Sequence, residues 1–282
     1  MQFEERALAF PCHDAWLYGI LSLPQPPQPR GVLVVVGGPQ YRAGSHRQFT
    51  LLARSLAAAG TPVMRFDYRG MGDSDGEVRD FEAVADDVRA AIDRFFAEVP
   101  GLREVALWGL CDGASAAVLH AHADPRVTGL ALLNPWVRTE EGAAKATIKH
   151  YYRDRLFDAG LWKKIARGQF DLVAAAKSFA DNARKAFARR AAPAPGQSGA
   201  AGLPDRVRAG LERFEGKVLL MLSEADLTAQ EFSDIAAGPG WRRLLSAPRF
   251  TRYSLPKADH TCSRREWHEQ MVAWTLSWIR SW

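Results

Sequence analysis

The sequence predicts an α/β architecture: a mainly parallel central sheet with helices on both faces and an inserted helical lid. Three observations predict it. Apolar runs of strand length alternate with segments of helical period through residues 31–135. An alternating pair of the antiparallel kind precedes them, and strand character returns at 217 after a long helical stretch. Strand and helix in such alternation imply parallel pairing through right-handed crossovers.

The elements follow in order. EERALAFPC and AWLYGILSLP alternate apolar and polar residues, which predicts an opening antiparallel pair over 3–10 and 15–23. PQPPQPR ends it. GVLVVV (31–36) is continuously apolar, as a strand buried on both faces is. HRQFTLLARSLAAAG (46–60) has helical spacing and stops at a glycine. TPVMRFDY (61–68) is the next strand and residues 80–99 the next amphipathic helix. EVALWG (104–109) is a strand, DGASAAVLHAHA (112–123) a helix and VTGLALLNP (127–135) a strand. The pattern then breaks. Residues 137–215 are helical and rich in Ala, Lys and Arg, and RRAAPAPGQSGAAGLP (189–204) reads as a flexible loop. Strands return at 217–226 and 249–256, and a helix over 263–281 closes the chain. The expected division is a core of 1–136 and 216–282 with a lid over 137–215.

Composition narrows the function classes. The 282 residues are 47% hydrophobic and 24% charged, enough for one sizeable core. A net charge of +5 without a Lys/Arg block gives no nucleic-acid signal. Three cysteines, Cys12, Cys111 and Cys262, make neither a disulfide framework nor a zinc spacing, which suits a reducing, cytoplasmic setting. MQFEERALAF lacks the long apolar region of a signal peptide, and the apolar runs are too short to span a membrane. GMGDSDG lacks a P-loop lysine and the full dinucleotide fingerprint, so no cofactor is expected, and no metal cluster is visible.

The chemistry concentrates in LWGLCDGASAA (107–117), at a strand-to-helix junction. Gly109, Cys111 and Gly113 fill the fixed places of G-x-S-x-G, with Cys for Ser. There the nucleophile occupies a tight turn and the next helix aims its positive end at it, which favours a thiolate. A nucleophile needs a base and the base an orienter. Asp226 follows a buried strand and His260 follows the last strand, giving the order Cys111, Asp226, His260. Glu224 is an alternative acid; Asp259 adjoins His260 too closely to orient its ring. The remaining histidines fall mostly in helices or the N-terminal hairpin, as surface groups, except His46, which lies near the loop after the first buried strand. Backbone N–H groups must hold the oxyanion. Asp112, after the nucleophile, supplies one. Gly38 of GGP supplies the other, with Gln40 as second choice, since Pro39 has no N–H.

Together, GGP after a buried strand, FDYRGMGDSDG (66–76), the GLCDG elbow, Asp226 and His260 resemble the α/β-hydrolase superfamily over nearly the whole chain. More closely, VVVGGPQYRAGSHRQF, FDYRGMGDSDGE, GLCDGASAA and LLNPWVR resemble the type-one hydrolase associated with the exosortase A system. That resemblance implies a cytoplasmic bacterial hydrolase encoded with exopolysaccharide and protein-sorting genes, and association with that machinery. Two departures stand out. Val36 holds the place of a His found in many members, and Cys111 replaces Ser, as in the dienelactone hydrolases.

The reading that follows is an acyl hydrolase acting on a small ester or thioester through a covalent Cys111 intermediate. Acyl transfer to a hydroxyl uses the same residues. A non-catalytic scaffold is the third reading, opposed by a competent residue at every triad position. Arg42, His46 and Arg47 are candidates to meet an anionic substrate group. Lys149, His150, Tyr151, Tyr152, Arg153 and Trp162 of the lid could cover an acyl chain or a sugar, or serve ordinary packing. Asp67, Arg69 and Asp73 are expected to shape a loop, and Cys262 is given no role.

Overall fold

The computed structural model describes residues 2–38, 40–138 and 201–282. Strands β1 (Phe3–Cys12) and β2 (Ala15–Pro24) pair antiparallel from Phe3 opposite Pro24 to Cys12 opposite Ala15. Then come β3 (Arg30–Val35), β4 (Val63–Phe66), β5 (Glu104–Leu110), β6 (Val127–Leu133), β7 (Lys217–Ser223) and β8 (Phe250–Leu255). The eight-stranded order is β1-β2-β4-β3-β5-β6-β7-β8, and every pairing from β4 to β8 is parallel. The chain leaves β3 first toward β4 and later returns on its other side as β5. The carboxyl ends of β3 and β5 therefore form a switch point, where open α/β sheets bind ligands.

Alternation along the strands sorts the core into two layers. Val32 and Val34 of β3, Ala106, Trp108 and Leu110 of β5, and Leu219 and Met221 of β7 face one layer. It is completed by Phe49, Leu52 and Leu56 of α1 (Gln48–Ala58) and by Met271, Val272 and Trp278 of the closing helix (Arg265–Ile279). Leu33, Val35, Val105, Leu107, Val218 and Leu220 face the other. That layer takes Val88, Ile92 and Phe95 from α2 (Ala85–Glu98) and Ala114, Ala117 and Val118 from α3 (Asp112–Ala121). Continuous apolar runs in the middle strands thus reflect burial on both faces.

The helix α4 (Leu203–Arg213) buries Val207 and Leu211. Gly210 permits its close approach to α3, since a Cβ there would stand 3.0 Å from the Val118 carbonyl. Met1–Arg138 and Leu203–Trp282 make one compact unit. Residues 139–200, including most of the expected lid, its six aromatic and basic candidates from Lys149 to Trp162 and most of the expected 189–204 loop, lie outside the described residues. Helices α5 (Leu227–Ala236) and α6 (Pro239–Leu245) were not expected from the sequence; α7 is the closing helix.

Candidate active site

The elbow is built by glycines. Cys111 has φ 60° and ψ −124°, a left-handed conformation that a β-carbon resists. Its surroundings impose it. The Cys111 N–H donates to the Leu133 carbonyl at 2.9 Å, and the Trp136 N–H donates to the Cys111 carbonyl at 3.1 Å. A Cβ on Gly109 would collide with the backbone at Gly113 and Ala114, and one on Gly113 would collide with the Val35 carbonyl. The two glycines flanking the thiol are therefore places where backbone meets backbone. The turn leaves Cys111 half-buried at the start of α3.

The other two members converge on it. The His260 Nδ1 lies 2.9 Å from the Asp226 Oδ2, and Cys111 is close enough to the same imidazole to influence its proton. Burial disfavours the imidazolium, but the hydrogen bonds of Asp226 and Cys111, with their charges, outweigh it and push His260 up to about 10. Asp226 is 8% exposed and also caps α5, accepting the Ala229 N–H at 3.1 Å. The alternatives are occupied elsewhere. Glu224 is exposed. Asp259 accepts the N–H groups of Thr261 and Ser263 and so folds its own loop.

Asn134 was not singled out by the sequence. Fully buried, it donates from Nδ2 to the His260 carbonyl at 3.0 Å and to the Ser223 Oγ at 3.1 Å, and accepts the Ser223 N–H at 2.8 Å. It ties the end of β6 to the end of β7 and to the histidine loop. Cys262 is buried beside Ser223, with Sγ 3.9 Å from its Oγ, and burial raises its thiol to about 11. Two further histidines depart from surface positions: His120 and His268 are half-buried, and burial lowers both.

The loop after β3 faces the elbow. Gly38 has φ +57° and stands against the Asp112 carboxylate, whose oxygens lie 3.5 and 3.7 Å from the position of a Cβ there. A Cβ on Gly37 would collide with Asp112 Oδ1 and the Gly113 nitrogen. Gln40 differs from its second-choice role: its N–H turns back to the Gly37 carbonyl at 3.4 Å, and its side chain accepts from Gln48.

The basic loop is divided. Arg42 is paired with Asp67 and Asp73, and its N–H also reaches Asp67 at 2.6 Å. Its guanidinium is thus paired within the protein. Asp67 and Arg69 shape the DYRGMGDS loop: Asp67 is fully buried against Gly72, and Arg69 forms a bidentate pair with Asp87. His46 and Arg47 are exposed, and the His46 Nε2 lies 3.1 Å from the hydroxyl of Thr261, next to His260. Among the described residues no His, Cys, Asp and Glu group gathers as a metal site. No helix among them is long and apolar enough to cross a membrane.

Residues 27–193 match the family model described as serine aminopeptidase, S33. The chain belongs to that family. It is thus an enzyme of the α/β-hydrolase superfamily. No curated protein matches the sequence. Solved structures share the fold. An esterase of Pyrococcus furiosus, Pf2001, is 14% identical with a TM-score of 0.67, covering 99% of this chain and 92% of its own. A dienelactone hydrolase of Anabaena variabilis is 15% identical with a TM-score of 0.63, covering 99% and 98%. A serine hydrolase of Xanthomonas campestris described as lacking a lid is 19% identical with a TM-score of 0.60, covering 100% and 96%.

Proposed function

We propose that this S33-family chain hydrolyses a small ester or thioester through a Cys111 acyl-enzyme. The observation that carries the reading is the strained elbow, which presents Cys111 to a His260 already held by Asp226. Strain at a half-buried thiol has a purpose if the thiol reacts.

The chemistry follows from the placement. His260 accepts the proton of the Cys111 thiol as the sulfur becomes the nucleophile. The thiolate forms a bond to the substrate carbonyl carbon, and the carbonyl π pair moves to its oxygen. N–H groups of Gly38 and Asp112 stabilise that oxyanion. As the pair returns, the bond to the leaving alcohol or thiol breaks and His260 gives that group its proton. His260, now neutral, takes a proton from water, which attacks the acyl-enzyme and releases the acid and the thiolate. Asp226 holds the ring throughout.

The names of the esterase and dienelactone hydrolase neighbours agree with an ester substrate. The sequence resemblance supports a finer assignment to the exosortase A-associated, exopolysaccharide-linked hydrolases of the bacterial cytoplasm. The exposed Arg47, and His46 beside the histidine loop, are assigned to an anionic substrate group. The helical lid is assigned, as expected from the sequence, to the insertion over 137–215.

Intact-protein mass spectrometry with a panel of acyl thioesters and p-nitrophenyl esters tests the reading, with Cys111→Ala as control. A transient acyl adduct and product release by the wild type alone are expected. Equal turnover by Cys111→Ala would remove Cys111 from the nucleophile role. Acyl products formed only when sugar or lipid alcohols are added would reassign the enzyme as a transferase.

A further inference from the structure

The chain leaving β6, between Leu133 and Trp136, reaches every member of the triad. The Leu133 carbonyl accepts the Cys111 N–H at 2.9 Å, and the Trp136 N–H donates to the Cys111 carbonyl at 3.1 Å. Between them stands Asn134, whose Nδ2 donates to the His260 carbonyl at 3.0 Å. Its Oδ1 accepts the Ser223 N–H at 2.8 Å, and the Ser223 carbonyl in turn accepts the Asp226 N–H at 3.2 Å. Nδ2 also donates to the Ser223 Oγ at 3.1 Å. One fully buried amide is thus satisfied by the chain that carries the acid and the chain that carries the base. Asn134 itself has φ 48°, a left-handed conformation that most side chains resist and asparagine tolerates. The sheet order explains the need for it. β6 and β7 lie between the elbow strand β5 and β8, so His260 has to reach back across two strands. β8 is a sheet edge, paired on one side only, with an exposed middle. The Ala225 N–H ties the histidine loop at the Ala258 carbonyl, and Asn134 ties it at His260.

We propose that Asn134 is a positioning residue, which sets the reach and aim of the His260 imidazole toward Cys111 by fastening the His260 backbone to the segment that also fastens the Cys111 backbone. The inference rests on the Cys111 acyl-enzyme reading. Asp226 holds the ring and Asn134 holds the main chain behind it, so the base is fixed at both ends. Proton transfer from the thiol depends on that separation, because a displacement of about 1 Å can cost about 10²-fold in rate. The amide of Asn134 is spent on Ser223 and His260, so it acts on the reaction through them.

Two replacements separate the amide from the backbone that carries it. Asn134→Gly keeps the left-handed conformation and removes the amide. Asn134→Asp keeps the shape and still accepts from Ser223, but turns an acceptor oxygen toward the His260 carbonyl. Thermal melts establish folding. The probe is p-nitrophenyl acetate in a single turnover. The Cys111 proton passes to His260, the carbon–sulfur bond forms, and the bond to the p-nitrophenyl oxygen breaks as His260 returns the proton to that oxygen. Asn134→Gly is expected to lower the rate at saturating ester about 10²-fold, with the half-saturating concentration changing less than about threefold. Asn134→Asp is expected to lose rate in the same way, and it decides the matter if the glycine variant does not fold. Each change is also made beside His260→Ala. There the residual rate is expected to change less than about threefold, since an effect carried by His260 has nothing left to act through. Alkylation of Cys111 by iodoacetamide at its high-pH plateau needs no base, and it is expected to stay within about threefold of the wild type. Folded variants as fast as the wild type, with Cys111 still acetylated, overturn the proposal alone. So does an equal loss with and without His260, or a plateau alkylation rate that falls as far as the ester rate, since either makes Asn134 a support of the fold only. If wild-type Cys111 takes no acetyl group, the acyl-enzyme reading falls and this inference falls with it.

Discussion

At the scale of residues, a few side chains hold charge in positions that only their neighbours make tolerable. His260 is the clearest. An imidazolium in a partly buried site loses hydration, yet Asp226 on one nitrogen and Cys111 on the ring raise it from an ordinary value of 6.5 to about 10. A group whose folded pKa is raised stabilises the fold below its unfolded pKa and loses that contribution as pH rises through the folded one. Urea midpoints of the wild type are therefore expected to fall between about pH 6.5 and 10, and those of His260→Gln to fall less over the same span. Parallel curves would mean that the histidine is not held as an ion pair. Chain order and strand ends alone led to the expectation that Asp226 and His260 meet, and the structure brings them within 2.9 Å. Asn134 could not be read in this way, because an amide at the end of a strand carries no sequence signal. Its hydrogen bonds to Ser223 and His260 depend on which strands the sheet makes adjacent. The Asp112 carboxylate was hidden for a related reason: its position implies a helix start, whereas its closeness to Gly38 comes from the loop after β3.

At the scale of elements, Asp226 serves two structures at once. It caps α5 through the Ala229 N–H and orients His260 with the same oxygen. The two roles can be separated, since serine caps a helix nearly as well as aspartate but brings no charge to the imidazole. Asp226→Ala is expected to lose about 1 kcal/mol of stability with the cap. Its activity is expected to fall by up to about 10⁴-fold, the scale seen when a triad acid is neutralised. Asp226→Ser should recover most of the melting temperature and little of the activity. Activity that returned together with stability would show that the carboxylate acts only on the helix. The same region shows why α5 and α6 escaped sequence reading. Only Ala237 and Gly238 separate α5 from Pro239, the first residue of α6, and this Gly-Pro-Gly stretch resembles a loop. In the fold, Pro239 begins a helix, where its missing N–H costs nothing. The strands were easier. Their continuous apolar runs mark burial on both faces, and the observed ends differ by a few residues because periodicity fades where the chain leaves the sheet.

At the scale of the whole molecule, the sheet order brings four stretches of chain to one end: the loop after β3, the elbow after β5, and the loops after β7 and β8. Local pattern implied the parallel sheet, but which loops would touch is a long-range result. Charged side chains buried between elements help to set that arrangement. Arg69, in the loop after β4, meets Asp87 of α2 through Nε at 3.0 Å and through a second nitrogen at 2.8 Å, with the Asp87 side chain fully buried. Asp87 also accepts the Arg69 N–H at 2.8 Å. Removing one partner of a buried pair leaves the other desolvated and uncompensated, whereas removing both leaves only a packing problem. Asp87→Leu and Arg69→Met are each expected to cost about 3–5 kcal/mol of unfolding free energy, and the double variant substantially less than their sum. The part of the loss that persists in the double variant measures the Arg69 N–H, which no apolar side chain can satisfy. Urea unfolding of the four proteins decides it. Additive losses would mean that the carboxylate mainly serves the backbone of the loop. A strong coupling would mean that the ion pair fastens the DYRGMGDS loop to α2, and with it Asp67, the buried carboxylate that holds Arg42 of the loop after β3.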